Sequence, residues 1–265
     1  MSFSTSPSPV IGVFDSGLGG LTVVKALACR APGIPLVYFG DTARFPYGTK
    51  SAETIVRYSK ENTAFLLKQG AEIIVVACNT ASAVALNHLQ AAFSVPVYGV
   101  IDPAAQKAVE MTKTGRIGVI GTRRTIKSKS YTKAIIGLLP EAQVTAVACP
   151  LLVSLIEEGC PSQEAQRLLL REYLRPMKRD CIDTLLLGCT HYPLMEEMIQ
   201  EEMGADVSIV DPAKTCAALI APTIPAEKGA ASDYRFFASD DASRFKAIGE
   251  AFLGMKMGKV LTVSV

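Results

Sequence analysis

The chain has 265 residues, 27 of them basic and 25 acidic, for a net charge of +2, with 49% hydrophobic residues and a mean hydropathy of +0.28. Balanced charge excludes a field that attracts nucleic acid, and no run of 18 apolar residues is present to cross a membrane. Seven cysteines, odd in number and irregular in spacing, exclude a disulfide framework, so a reduced, cytoplasmic protein is expected.

Met1–Pro9 is rich in Ser and Pro without a charged or apolar leader pattern, and is expected to be a loose tail rather than a signal peptide. Short Val- and Ile-rich runs then predict strands at Val10–Phe14, Leu36–Phe39, Ile73–Ala77 and Val97–Ile101. Four more follow at Ile117–Ile120, Val144–Ala148, Thr184–Leu187 and Val207–Val210. Between them, Thr54–Gln69 carries Ile55, Tyr58, Phe65 and Leu66 at helical spacing. Ser162–Arg175 does the same with Ala165, Leu168, Leu169 and Tyr173, and helices are also predicted over Ala81–Gln90 and Pro193–Glu202. Apolar runs this continuous suit strands buried on both faces, and alternation with helices predicts an α/β fold with mainly parallel sheets.

The landmarks recur in order. Ile-Gly-Val opens a strand at Ile11 and again at Ile117. A strand ending in Cys and two polar residues follows each, as Cys78-Asn79-Thr80 and Cys189-Thr190-His191. A strand ending in Asp-Pro closes each half, at Asp102-Pro103 and Asp211-Pro212. The reading is two pseudo-symmetric lobes, each a mainly parallel sheet flanked by helices. Residues 1–98 plus 211–265 form the first and 99–210 the second. Ligands of such sheets bind beyond the carboxyl ends of the strands, so the active-site cleft is expected between the lobes.

Cys78 and Cys189 are the candidate reactive thiols, because each sits at the carboxyl end of a strand with a helix behind it. Asn79, Thr80, Ser82 and Thr190 are expected to cap those helices, and the helix dipole is expected to favour thiolate. Cys29, Cys149, Cys160, Cys181 and Cys216 are read as packing residues, and His88, well down a helix, as structural. Metal binding is disfavoured, since His88 and His191 are the only histidines and no Cys-x-x-Cys occurs. A Cys–His hydrolase accounts for Cys189 and His191 but leaves Cys78 idle. Two opposed thiols suit a nearly symmetric reaction, such as moving a proton from one face of a carbon to the other. A non-enzymatic amino-acid binder has no need of them. The Gly-rich turn Asp15-Ser-Gly-Leu-Gly-Gly20 is expected to offer N–H groups as an anion cradle.

Four segments carry a resemblance: Ile11-Gly-Val-Phe-Asp-Ser-Gly-Leu-Gly-Gly-Leu21, Tyr38-Phe-Gly-Asp-Thr-Ala-Arg-Phe-Pro-Tyr-Gly48, Ala77-Cys-Asn-Thr-Ala-Ser82 and Leu187-Gly-Cys-Thr-His-Tyr-Pro-Leu194. They resemble the signatures of glutamate racemase, in that family's order and over nearly the whole chain. The resemblance implies interconversion of L- and D-glutamate without a cofactor or metal, supplying D-glutamate for peptidoglycan and hence cell shape, by a homodimer. It implies Cys78 as the base toward D-glutamate and Cys189 toward L-glutamate. Asp15 would support the first thiol and His191 the second, with Glu157 a further acid. The implied substrate-binding set is Asp15, Ser16, Pro46, Tyr47, Gly48, Asn79, Thr80, Thr122, Thr190 and His191. An aspartate racemase with the same thiol pair is the nearest alternative. Two departures from the pattern are Ser154, where the family often has Pro, and the extra positive charge of Arg123-Arg124.

Overall fold

The structure, a computed structural model, describes residues 8–159, 162–224 and 233–265. The expectations for most of the N-terminal tail and for Cys160 lie outside the described residues. The first half runs β1 (Ile11–Asp15), α1 (Leu21–Arg30), β2 (Leu36–Gly40), α2 (Ala52–Lys68), β3 (Ile73–Val76), α3 (Asn79–Ala92), β4 (Val97–Gly99) and α4 (Ile101–Met111). The second begins β5 (Arg116–Gly121), α5 (Arg123–Ser128), α6 (Ser130–Leu138), β6 (Gln143–Ala148), α7 (Leu152–Glu158) and α8 (Gln163–Arg179). It continues β7 (Thr184–Gly188), α9 (Glu196–Met203), β8 (Ser208–Val210), α10 (Pro212–Ile220), β9 (Tyr234–Ala238), α11 (Ala242–Leu253) and β10 (Val260–Thr262).

The strands form two sheets, ordered β10-β9-β2-β1-β3-β4 and β6-β5-β7-β8. Every pairing in both is parallel. The run β2-β1-β3-β4 has the same order as β6-β5-β7-β8, so the repeated landmarks occupy equivalent strands. Parallel pairing buries both faces of the central strands, which explains their unbroken Val, Ile and Leu. Val13, Tyr38 and Val75 enter a core with α1, α10 and α11, while Phe14, Phe39 and Val76 enter another with α2 and α3. In the second sheet Ile120 and Leu187 pack with α7, α8 and α9, and Val119 and Leu186 with α4 and α6.

Several local expectations are corrected. The Asp-Pro pairs open helices rather than closing strands. β4 stops at Gly99 and Pro103 falls in the first turn of α4, where its missing N–H costs nothing. Asp211 caps α10, accepting from the Ala213 N–H at 2.8 Å. Strands β9 and β10, absent from the sequence reading, extend the first sheet beyond β2. Cys29 and Cys181 are exposed rather than packed, the latter in a left-handed turn with φ of 49° after α8. Cys149 and Cys216 are buried.

Candidate functional site

Both cysteines lie just beyond the carboxyl ends of equivalent strands, β3 and β7, and line one cavity of about 80 Å³. Ser16, Pro46, Tyr47, Gly48, Asn79, Thr80, Thr122, Thr190 and His191 line it too, with Phe45, Thr49, Arg123, Pro150, Val153 and Ser154. The wall thus draws on six strand ends, those of β1, β2, β3, β5, β6 and β7, across two lobes. Phe45, Thr49 and Pro150 carried no signal of chemistry in the sequence; only their neighbours in the motifs hinted at them.

Hydroxyl and amide groups tie the lobes together at this cleft. Thr80 Oγ1 lies 2.9 Å from Thr122 Oγ1 and 3.2 Å from Thr125 Oγ1. The Tyr131 hydroxyl donates to Asn79 Oδ1 at 2.5 Å. On the opposite side Thr22 Oγ1 reaches the Thr190 carbonyl at 3.3 Å. The Tyr47 hydroxyl is not free for a ligand. It donates to buried Asp41 and accepts from Asn62 Nδ2 at 3.0 Å, while Arg44 Nε holds the same carboxylate at 2.7 and 2.9 Å. Tyr47 therefore offers its ring and backbone. Arg44 anchors this wall, holding Asp41 and reaching Asn62 Oδ1 at 2.8 Å.

The two thiols have unlike surroundings. Cys78 is itself the N-cap of α3, without a side-chain cap bond, and Asn79 and Thr80 sit inside the helix rather than capping it. Ser82 Oγ donates back to the Val76 carbonyl at 2.8 Å. Burial pushes the Cys78 thiol up to about 12, and the charge of Asp15 adds to the shift. The Ala81 N–H and Ser16, 3.7 Å away, pull the other way without prevailing. The dipole effect expected from sequence is thus outweighed by desolvation. Cys189 has no long helix directly behind it; a 3₁₀ turn over Tyr192–Met195 intervenes before α9.

Beside Cys189 the imidazole of His191 lies between two acceptors. Its Nδ1 is 3.8 Å from Cys189 Sγ and its Nε2 2.7 Å from Glu157 Oε1. Burial opposes the imidazolium, but the bonds to Cys189 and Glu157 prevail and raise the ring to about 10. Glu157 does not line the shared cavity. It faces a neighbouring one of about 190 Å³ with Asp240, Asp241 and Arg244.

Asp15 is fully buried and also lies outside the cavity lining. Its Oδ2 accepts from the Gly17 N–H at 3.0 Å, while Oδ1 has no hydrogen-bond partner among the described residues. Burial raises its pKa, and the charge of His191 opposes that. The Gly17 N–H of the Gly-rich turn is therefore taken by the protein's own carboxylate rather than offered to a ligand. Gly19 has a second duty: a Cβ there would collide with Thr190 Oγ1 and the His191 ring. The bare backbone lets the Cys189 loop dock on the first lobe.

The state of His191 gives a pH prediction. Its folded pKa of about 10 exceeds the ordinary 6.5 or so, so the stability from this pairing is full below about pH 6.5 and lost as pH rises through about 10. Ring-nitrogen NMR should show one imidazolium persisting at pH 8, absent from His191→Asn. Denaturation midpoints should fall more between pH 6.5 and 10 for the parent than for that variant. Loss of the proton near pH 6.5 would contradict the assignment.

A family model, Asp/Glu/hydantoin racemase, matches residues 19–220. The glutamate racemase of Geobacter metallireducens is 46% identical over 267 residues, covering 98% of each chain. Among solved structures, the glutamate racemase of Bacillus anthracis superposes with a TM-score of 0.91 at 40% identity, over 97% of this chain and 98% of that one. That of Francisella tularensis, solved with D-glutamate, gives 0.88 at 37% identity over 97% of each.

Proposed function

The chain belongs to the glutamate racemase family, and from that premise we propose that it interconverts L- and D-glutamate with Cys78 and Cys189 as the two acid–base groups, without a cofactor. The observation that carries this is the single cavity reached by both thiols from equivalent strands of the two lobes.

The steps balance with two protons. The Cys189 thiolate takes the α-proton of L-glutamate and leaves the electron pair on Cα. The Cys78 thiol then delivers its proton to the opposite face, which gives D-glutamate, a Cys78 thiolate and a Cys189 thiol. The reverse reaction exchanges the roles. Which enantiomer each thiol meets follows the family resemblance. The unequal surroundings support the starting state. Burial keeps Cys78 a thiol at neutral pH, while the His191 imidazolium sets a positive charge beside Cys189. Asp15 acts on Cys78 through its charge, which raises the thiol's pKa and so makes the Cys78 thiolate a stronger base toward the α-proton of D-glutamate.

The carbanion-like transition state needs donors toward the α-carboxylate in a site that excludes water. Ser16, Asn79, Thr80 and Thr190 supply neutral donors from both lobes. We further propose residues 1–98 plus 211–265 and 99–210 as the lobes, a homodimer as the assembly, and cytoplasmic supply of D-glutamate to peptidoglycan as the role. No described helix is long and apolar enough to cross a membrane.

Incubating each enantiomer in D2O without added cofactor tests the reaction. The expected result is conversion to a 1:1 mixture with deuterium at Cα of the product. Absence of both inversion and α-deuterium would overturn the reading, and faster turnover of aspartate would reassign the substrate.

A further inference from the structure

Tyr131, in α6 of the second lobe, is buried and does not line the cleft, yet it reaches both motifs that carry the thiols. Its hydroxyl crosses to the first lobe and donates at 2.5 Å to Oδ1 of Asn79, the residue after Cys78. Its ring lies against Gly188, the residue before Cys189. A Cβ on Gly188 would stand 3.1 Å from Tyr131 Cε2 and 2.7 Å from the Ile120 carbonyl oxygen, so the ring seats there against bare backbone. One side chain thus spans the ends of β3 and β7.

The direction of the bond to Asn79 follows from what the phenol can do. Burial pushes Tyr131 well above the ordinary tyrosine range, so its hydroxyl keeps the proton. Asn79 is the one hydrogen-bond partner of that hydroxyl among the described residues, and a buried O–H left unpaired is costly. The proton therefore goes to Asn79, and the amide must present Oδ1 to receive it. Its Nδ2 hydrogens, which have no acceptor among the described residues, then remain on a side chain that lines the cleft. Without the phenol nothing fixes which end of the amide faces the cleft, and the flipped form sets an acceptor against a carboxylate.

We infer that Tyr131 is a positioning residue, which holds the Asn79 amide with its N–H groups toward the cleft and so keeps a donor on the α-carboxylate as charge develops at Cα. This rests on the glutamate reading above, in which Asn79 is one of the donors to that carboxylate, and extends it to a residue outside the site. The phenol comes from α6 and the amide from α3, so the donor is set only where the two lobes meet. A donor aimed at the carboxylate gains strength as that group takes up the carbanion's charge. Its misplacement therefore falls on turnover more than on binding.

The test is a double-mutant cycle of Y131F and N79A, with kinetics measured at a temperature where the circular dichroism of each variant matches the parent. Y131F keeps the ring against Gly188 and removes only the hydroxyl. It should lower kcat about 10-fold in both directions with KM within about two-fold, as for a donor present but no longer held in place. N79A should lower kcat about 10²-fold, as for loss of one preorganised donor. Because Tyr131 acts through Asn79, adding Y131F to N79A should cost no more than about two-fold further. The inference is overturned if Y131F leaves kcat within about two-fold of the parent, or if N79A retains near-normal turnover. It is also overturned if Y131F costs N79A more than about two-fold, as a general loosening of the fold would. Failure of the parent to racemise either enantiomer would instead remove the glutamate reading beneath it.

Discussion

Replacement of either Cys78 or Cys189 by alanine is expected to lower racemisation by about 10²–10⁴-fold, the range typical of losing a positioned acid or base. The loss should be the same for both substrates, because each direction uses one sulfur as base and the other as acid. Both side chains are buried, but each is small, so removing one sulfur leaves a modest void and the circular dichroism of the variants should match the parent. A double variant should be little worse than either single one, as for groups that act as a unit. The same substitution at Cys149 or Cys216 is the control. Each is buried, and each thiol is pushed up to about 12, chiefly by burial. Neither lines the cleft, so turnover should survive there. A variant of Cys78 or Cys189 with near-normal turnover would remove the two-base assignment.

What the sequence made legible follows burial. The central strands β1, β2, β3, β5 and β7 are continuous apolar runs because the parallel sheets are covered on both faces, and such runs stand out in any reading. Strands β9 and β10 do not: β9, Tyr234–Ala238, carries Arg235 in a short run, and β10 lies at the sheet edge. β10 spans only Val260–Thr262, with exposed Leu261 and Thr262, and takes its identity from pairing with β9. At the site, motif order brought the thiols and their polar neighbours to one cavity, because a residue just past a parallel strand's end has little freedom in where it emerges. The environment of each group was less legible. Nothing in Asp15-Ser-Gly-Leu-Gly-Gly20 distinguishes an N–H that meets a ligand from one that meets Asp15. The dipole argument for Cys78 needed a desolvation cost that only the packed structure supplies. Glu157 and His191 are far apart in sequence, and their 2.7 Å contact depends on how α7 packs against the β7 loop.

The unequal supports of the thiols lead to an expected result that direction-by-direction rates alone would miss. L- and D-glutamate have equal free energy in water, so the two values of kcat/KM must remain equal in any variant. A side chain that serves one thiol therefore lowers both together, and the asymmetry must be sought in which step limits the rate. For His191→Asn the loss of the cation beside Cys189 Sγ should cost about 10²-fold in kcat/KM, at the lower end of acid–base effects. It should make proton removal from L-glutamate more strongly limiting. The primary isotope effect with α-deuterated L-glutamate should then rise, while that with α-deuterated D-glutamate should not. Asp15→Asn should act on the other step: its charge raises the Cys78 pKa, so without it the Cys78 thiolate is a weaker base and proton removal from D-glutamate becomes the more strongly limiting step. The amide keeps the size of the carboxyl group, and its oxygen can still accept from the Gly17 N–H. Equal changes in both isotope effects, in either variant, would mean that the side chain orients substrate instead of serving one sulfur. Opposite responses in the two variants would separate the thiols by the groups that assist them, Asp15 for one and His191 with Glu157 for the other.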